Sequence, residues 1–105
     1  MTRNLIGRVT YMKGDRQGRV SAVSIRFVAG THFTEGQAIE LERLMRRQSD
    51  VTAASITRGS AYWNLLIWLR DKPAHLTDAG MVAISRSFCK VANITIQGEP
   101  EPRPT

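Results

Sequence analysis

The chain is short of almost every residue that announces a chemistry. Cys89 is its one cysteine among 105 residues, so an intrachain disulfide is excluded and no cysteine set with zinc spacing exists. A reducing compartment, the cytoplasm, is the expected location. No apolar run nears the roughly 18 residues of a membrane span, and MTRNLIGRV lacks a signal-peptide stretch, so no membrane association is expected. A glycine-rich phosphate loop is missing, as is a pair of carboxylates backed by histidine on one helical face. Neither a metal nor a cofactor is expected. Lysine is scarce too. Of 15 Lys and Arg, 12 are arginine, against 9 Asp and Glu, giving a net charge of +6. Arginine's planar fork grips phosphate at two points and stacks on rings, whereas lysine acts as a hydrated point charge. The expected class of partner is therefore nucleic acid, or a protein complex that handles it.

With 42% apolar residues the chain can bury one core, so residues 1–98 are expected to form a single α+β domain. Residues 99–105 close the chain as a Pro-rich flexible tail, because alternating prolines and charges cannot build a core.

Leu5 to Met12 alternates, with Leu5, Val9 and Tyr11 on one face and Arg8 and Thr10 on the other, which is the period of a strand. KGDRQG then reads as a mobile connection, with Lys13, Arg16 and Arg19 close by. Residues 19–28 make a second strand with Val23, Ile25 and Phe27 inward and Ala22, Ser24 and Arg26 outward. Helical spacing of Ala38, Leu41, Leu44, Met45 and Gln48 predicts a helix over 35–49, with Arg43, Arg46 and Arg47 opposite and Ile39 among them. Residues 51–58 and 61–70 read as a hairpin turning on Gly59-Ser60. That register sets Ile56 beside Trp63, Ala54 beside Leu65 and Thr52 beside Ile67. A second helix over 78–92 turns Met81, Ile84, Ser85, Phe88 and Val91 inward, with Cys89 on its flank, and a last strand covers 93–97.

HFTE at 32–35 returns as HLTD at 75–78, each between a strand and a helix. In both copies the threonine is placed to cap the helix, Gln37 completes a capping box with Thr34, and Phe33 and Leu76 are placed to staple onto Ala38 and Met81. From residue 19 on, the order is strand, helix, strand, strand, helix, strand, which is a ferredoxin-like split βαβ sandwich with two helices on one face of an antiparallel sheet. The N-terminal strand is then supernumerary and must add at an edge, swap to a second subunit, or break the ferredoxin-like order. His32-Phe33-Thr34 and His75-Leu76-Thr77 also resemble the paired H-x-T motifs of the two-histidine phosphoesterases. That resemblance implies phosphodiester cleavage with His32, Thr34, His75 and Thr77 as the catalytic set, both histidines flanking one phosphate.

The face of the sheet turned away from the helices carries Arg8, Arg26, Tyr62, Asn64, Leu66, Trp68 and Arg70. Aromatics among arginines on a sheet resemble the surface on which RNA-recognition domains stack bases, although SIRFVAG and YWNLLIWL do not spell that family's strand motifs. The same Tyr-Leu-Trp patch suits a homodimer or another protein interface. A second set of cations, Arg43, Arg46 and Arg47 with Lys13, Arg16 and Arg19, is a candidate for phosphate contact. The leading expectation is a small basic binding module without enzymatic activity. Its size suits an accessory or inhibitory protein of a phage or other mobile element, and the phosphodiester-cleaving enzyme and the homodimeric interaction domain are the alternatives.

Overall fold

A computed structural model describes residues 5–15, 17–30 and 32–104. It is a mixed α+β structure in which one sheet carries two helices. The strands are β1 (Leu5–Met12), β2 (Ala22–Val28), β3 (Val51–Arg58), β4 (Trp63–Leu69), β5 (Ile94–Ile96) and β6 (Glu101–Pro102), and the helices are α1 (Glu35–Arg46) and α2 (Asp78–Ala92). A single 3-10 turn, Pro73–Leu76, leads into α2.

The sheet runs β3, β4, β2, β1, β5. The N-terminal strand therefore neither caps an edge nor leaves the body. It forms an antiparallel hairpin with β2, from Met12 opposite Ala22 to Ile6 opposite Val28, and so occupies the place beside β2 that the four-stranded order reserves for the last strand. That last strand is displaced outward and pairs parallel with β1, Leu5 against Ile94 and Gly7 against Ile96. Gly7 suits this close packing: a Cβ there would stand 3.1 Å from both the Ile94 side chain and Phe27 Cβ, so its neighbours would have to give by a few tenths of an ångström.

Strands β1, β2 and β4 each turn an apolar row toward the helices. Leu5, Val9 and Tyr11, Val23, Ile25 and Phe27, and Leu65, Ile67 and Leu69 form one core with Leu41 and Met45 of α1 and Met81, Phe88, Cys89 and Ala92 of α2. The α2 face differs from expectation: Cys89 and Ala92 are buried while Val91 is exposed. The small residues let α2 sit close over β5. Ser85, also buried, donates its hydroxyl to the Met81 carbonyl at 2.7 Å. Helix α1 ends at Arg46, short of the expected residue 49.

Both threonines cap as their spacing requires. Thr34 Oγ1 accepts from the Gln37 amide while Gln37 Oε1 accepts from the Thr34 amide, and Thr77 Oγ1 accepts from the Gly80 amide at 3.1 Å. Asn93 closes α2 in the left-handed region at φ 58, where an asparagine is tolerated better than most side chains.

The β3–β4 hairpin is slipped by two residues from the expected pairing. Arg58 faces Trp63, Ile56 faces Leu65 and Ala54 faces Ile67, and Gly59 closes the wider loop by donating to the Tyr62 carbonyl at 2.7 Å. A two-residue slip leaves each side chain on its face, since the period of a strand is two. An irregularity between Val51 and Ala53 then turns Thr52 outward, where its hydroxyl donates to the Trp68 carbonyl.

The outer sides of β1 and β3 are covered by different means. On the outer side of β1, the segment expected to be a flexible tail is extended, as its prolines dictate, but lies against the body. Glu101 and Pro102 pair with Thr10 and Tyr11, and the Arg103 amide donates to the Tyr11 carbonyl at 2.7 Å. Proline at an edge offers no N–H to a further strand. On the β3 side, α1 supplies side chains to the backbone: Glu42 Oε2 accepts from the Ile56 amide at 2.8 Å, and Arg46 Nε donates to the Ala54 carbonyl at 3.2 Å. Among the described residues, no helix is long and apolar enough to cross a membrane.

Candidate functional site

The two histidines are not one site. His32 begins the approach to α1 after the C-terminal end of β2, and His75 precedes α2 after the C-terminal end of β4. Since β2 and β4 are antiparallel, with Ala22 opposite Trp68 and Phe27 opposite Trp63, those ends lie at opposite limits of the sheet, roughly 20 Å apart for strands of this length. The expectation that both histidines flank one phosphate is thereby corrected. Thr34 and Thr77 are helix caps at those separate places. His32 is exposed. His75 is 2% exposed, with Nδ1 2.6 Å from the Arg70 carbonyl. Its own carbonyl accepts from Ser21 Oγ at 2.8 Å, which ties the β1–β2 loop to the turn before α2.

The same loop is less open than its glycines suggest. Asp15 Oδ1 accepts from the amides of Gln17 and Arg19, each at 2.9 Å. The amide bond from Arg19 is the main reason its carboxyl is held below the usual range. Of the loop cations, Lys13 pairs with Asp78 and Arg19 with Asp15, while Arg16 lies outside the described residues. Arg46 is held by Glu42 and Arg70 donates to the Ser49 carbonyl at 2.8 Å. Arg43 and Arg47 are exposed near the end of α1, on the helix layer and away from the open face. The second set of cations is thus spread over the β1–β2 loop and α1, and three of the six, Lys13, Arg19 and Arg46, already serve intramolecular partners.

The open face of the sheet is the arrangement that remains. Strand pairing orders it into rows. Arg8 faces Arg26, which faces Asn64. Thr10, Ser24, Leu66 and Ser55 form the next row, and Met12, Ala22, Trp68 and Ala53 the one after. On the other side of the arginines stand Ile6 and Val28, 53% and 52% exposed, beside Tyr62 at 48%. The two ends differ. At the Trp68 end the indole is half-buried and Ala22, set between Met12 and Trp68, is only 5% exposed. At the Tyr62 end the surface sinks into a depression of ≈ 320 Å³ lined by Ile6, Arg8, Arg26, Val28, Tyr62 and Gln97. Trp63 belongs to the opposite face. It packs edge-on against Phe33, with ring centroids 5.3 Å apart, under the Arg58 guanidinium.

Two guanidiniums directly across a strand pair repel one another, and here neither has a carboxylate within ion-pair reach among the described residues. Arg26 lies 5.6 Å from the centre of the Tyr62 ring, an attraction that orients it without neutralising it. Asn64 accepts from the Ser24 hydroxyl at 3.0 Å and so is fixed in place next to the arginines.

No family model, curated protein or solved structure matches the chain.

The site's residues therefore argue for themselves. Arg8, Arg26, Tyr62, Asn64 and Trp68 were legible as one face. Ile6, Val28 and Gln97 were not singled out, although Ile6 and Val28 share the alternation phase of Arg8 and Arg26. Among the described residues no group of His, Cys, Asp and Glu is placed to hold a metal ion. Cys89 is buried in the core, and burial pushes its thiol up to about 11, which keeps it in the unreactive protonated form near neutrality.

Proposed function

We propose that this chain is a non-enzymatic binding module that holds single-stranded nucleic acid on the open face of its sheet. The observation that carries the reading is Arg8 set directly opposite Arg26, with no carboxylate in an ion pair with either among the described residues. A pair of like charges kept adjacent on an otherwise uncovered surface is relieved by an anion that bridges them, and arginine is suited to do this with phosphate oxygens. Tyr62 and Trp68 supply rings at the two ends of the same face, on which bases of any identity can stack. Residues 22–96 are read as a ferredoxin-like repeat into which β1 has been inserted, a layout that leaves one whole sheet face free of helices. A cytoplasmic location follows from this reading and from the single reduced thiol. The proposal includes an accessory or inhibitory role, of the kind a phage or other mobile element encodes, acting on nucleic acid or on the complex that handles it.

The reading is tested by fluorescence anisotropy with labelled single-stranded oligonucleotides at several salt concentrations. Binding is expected to weaken with salt at a slope of about 0.7 per phosphate contact, and Arg8→Ala and Arg26→Ala are each expected to reduce that slope. Absence of binding at low salt overturns it. A homodimer is the second reading, favoured by the exposed Ile6, Val28 and Tyr62 side chains. It predicts association in light scattering that deepens with protein concentration and is lost in Tyr62→Ala.

A further inference from the structure

Resting on the nucleic-acid reading, we infer that the depression at the Tyr62 end of the open face is a pocket for one unstacked nucleotide of a single strand. Its phosphate lies between Arg8 and Arg26, its base against Tyr62, and its base edge is read by the side-chain amide of Gln97.

The chemistry of the walls selects this ligand over simpler ones. A bare phosphate would use the two guanidiniums and leave the exposed Ile6 and Val28 side chains and the Tyr62 ring in water, with no gain from them. An apolar peptide would cover those three but would take two unneutralised guanidiniums out of solvent, which is costly without a matching anion. A nucleotide joins an anion to a flat ring system and answers both. The rows are suitably spaced, since Ile6 and Val28 lie two residues along their strands from Arg8 and Arg26, about 7 Å. The depression, ≈ 320 Å³, is too small for a stacked run of bases, so one base is taken and its neighbours remain outside.

Gln97 is the part of the pocket that carries information. Its backbone amide donates to the Gly7 carbonyl at 2.7 Å, which anchors the residue beside β1 just beyond β5. Its exposed side-chain amide has no hydrogen-bond partner among the described residues. Such an amide offers a donor next to an acceptor and matches adenine bidentately. Tyr62, by contrast, stacks on any base, and the arginines see only phosphate. Affinity and selectivity are thus divided among separate side chains.

The test uses the full chain with labelled oligo(dA), oligo(dC) and oligo(dT) of equal length, read by anisotropy at several salt concentrations. The wild type is expected to favour oligo(dA) by about tenfold, the worth of one good bidentate contact. Gln97→Leu is expected to lose that ranking while keeping the salt slope. Arg8→Ala and Arg26→Ala are expected to keep the ranking and lower the slope by about 0.7 each, and Tyr62→Ala to weaken all three by about tenfold. These side chains are exposed, and a thermal melt of each variant verifies that the fold is intact. Binding whose base ranking is unchanged in Gln97→Leu, or whose affinity is unchanged in Tyr62→Ala, overturns the pocket while leaving single-strand binding by the face in place. Failure of every oligonucleotide to bind overturns both.

Discussion

Glu42 on α1 accepts a hydrogen bond from the backbone amide of Ile56 on β3, at 2.8 Å, so a helix side chain stands where a further strand would. Arg46, paired with the same carboxylate at 2.7 Å, covers the Ala54 carbonyl two residues away. Together the two side chains satisfy one outward donor and one outward acceptor of an edge strand, leaving less for another chain to pair with.

Glu42→Ala is accordingly expected to cost about 1 to 3 kcal/mol, the penalty of leaving a partly buried amide unpaired and freeing its neighbour. It is also expected to promote association through β3. Urea denaturation measures the first effect and sedimentation velocity at rising concentration the second. A variant as stable and as monodisperse as the parent would show that the cover is idle.

The histidines are expected to behave unequally. His32→Ala, at an exposed position, should change stability by no more than about 0.5 kcal/mol. His75→Ala removes a buried ring and its bond to the Arg70 carbonyl and should cost about 2 to 4 kcal/mol. Equal denaturation midpoints for the two variants contradict this assignment.

Two helical glycines should respond in opposite directions to alanine. A Cβ on Gly36 meets only Thr34 Oγ1, at 3.7 Å, whereas one on Gly80 would stand 1.8 Å from the Ala74 carbonyl oxygen. Gly36→Ala is expected to stabilise by about 0.5 to 1 kcal/mol. Gly80→Ala must push the 3-10 turn off α2 and lower the melting temperature, and a rise in it would mean that the turn moves aside freely.

Asp78 gives the fold a pH window. Its carboxyl is lowered chiefly by the hydrogen bond from the Tyr11 phenol, then by Lys13. A depressed carboxyl stabilises the fold above its ordinary value of 3.8, and that contribution is lost as the pH falls through the lower folded value. Tyr11 is shifted the other way. Burial, then its bond to Asp78, raises the phenol above 10.0, so its contribution is whole below that pH and fades as pH rises through the folded value. Asp78→Asn should flatten the acid limb of a stability-against-pH profile measured by urea titration. An unchanged acid limb would assign acid sensitivity to other carboxylates.

Local chemistry made the elements readable and long-range pairing hid their arrangement. Helix α2 runs from Asp78 to Ala92 as its cap and periodicity require, and β1 spans the alternating stretch Leu5–Met12. Alternation likewise put Arg8, Arg26, Asn64 and Trp68 on one face. Nothing local states that β1 enters between β2 and β5, because that choice is decided by contacts such as Gly7 against Ile94 across the length of the chain. The hairpin register is hidden in the sequence for a related reason: two registers that differ by two residues bury the same side chains. His75 looked like a loop residue because its burial depends on the Arg70 carbonyl above it and the Ser21 hydroxyl behind it.

The parallel pairing of β1 with β5 also sets an order of events during synthesis. The β1–β2 hairpin can close as soon as Val28 has left the ribosome, but the outer side of β1 waits for Ile94 to Ile96 and then for Glu101 and Pro102. Until those residues are made the nascent chain therefore displays an unpaired strand edge, the kind of surface on which growing chains aggregate. Completing the sheet brings Leu5–Gly7 against Ile94–Ile96, and contacts of such sequence separation are slow to form. Ribosomes stalled before residue 94 should hold a hairpin that associates with its neighbours, whereas chains extended until residues 94–102 have emerged should close that edge themselves.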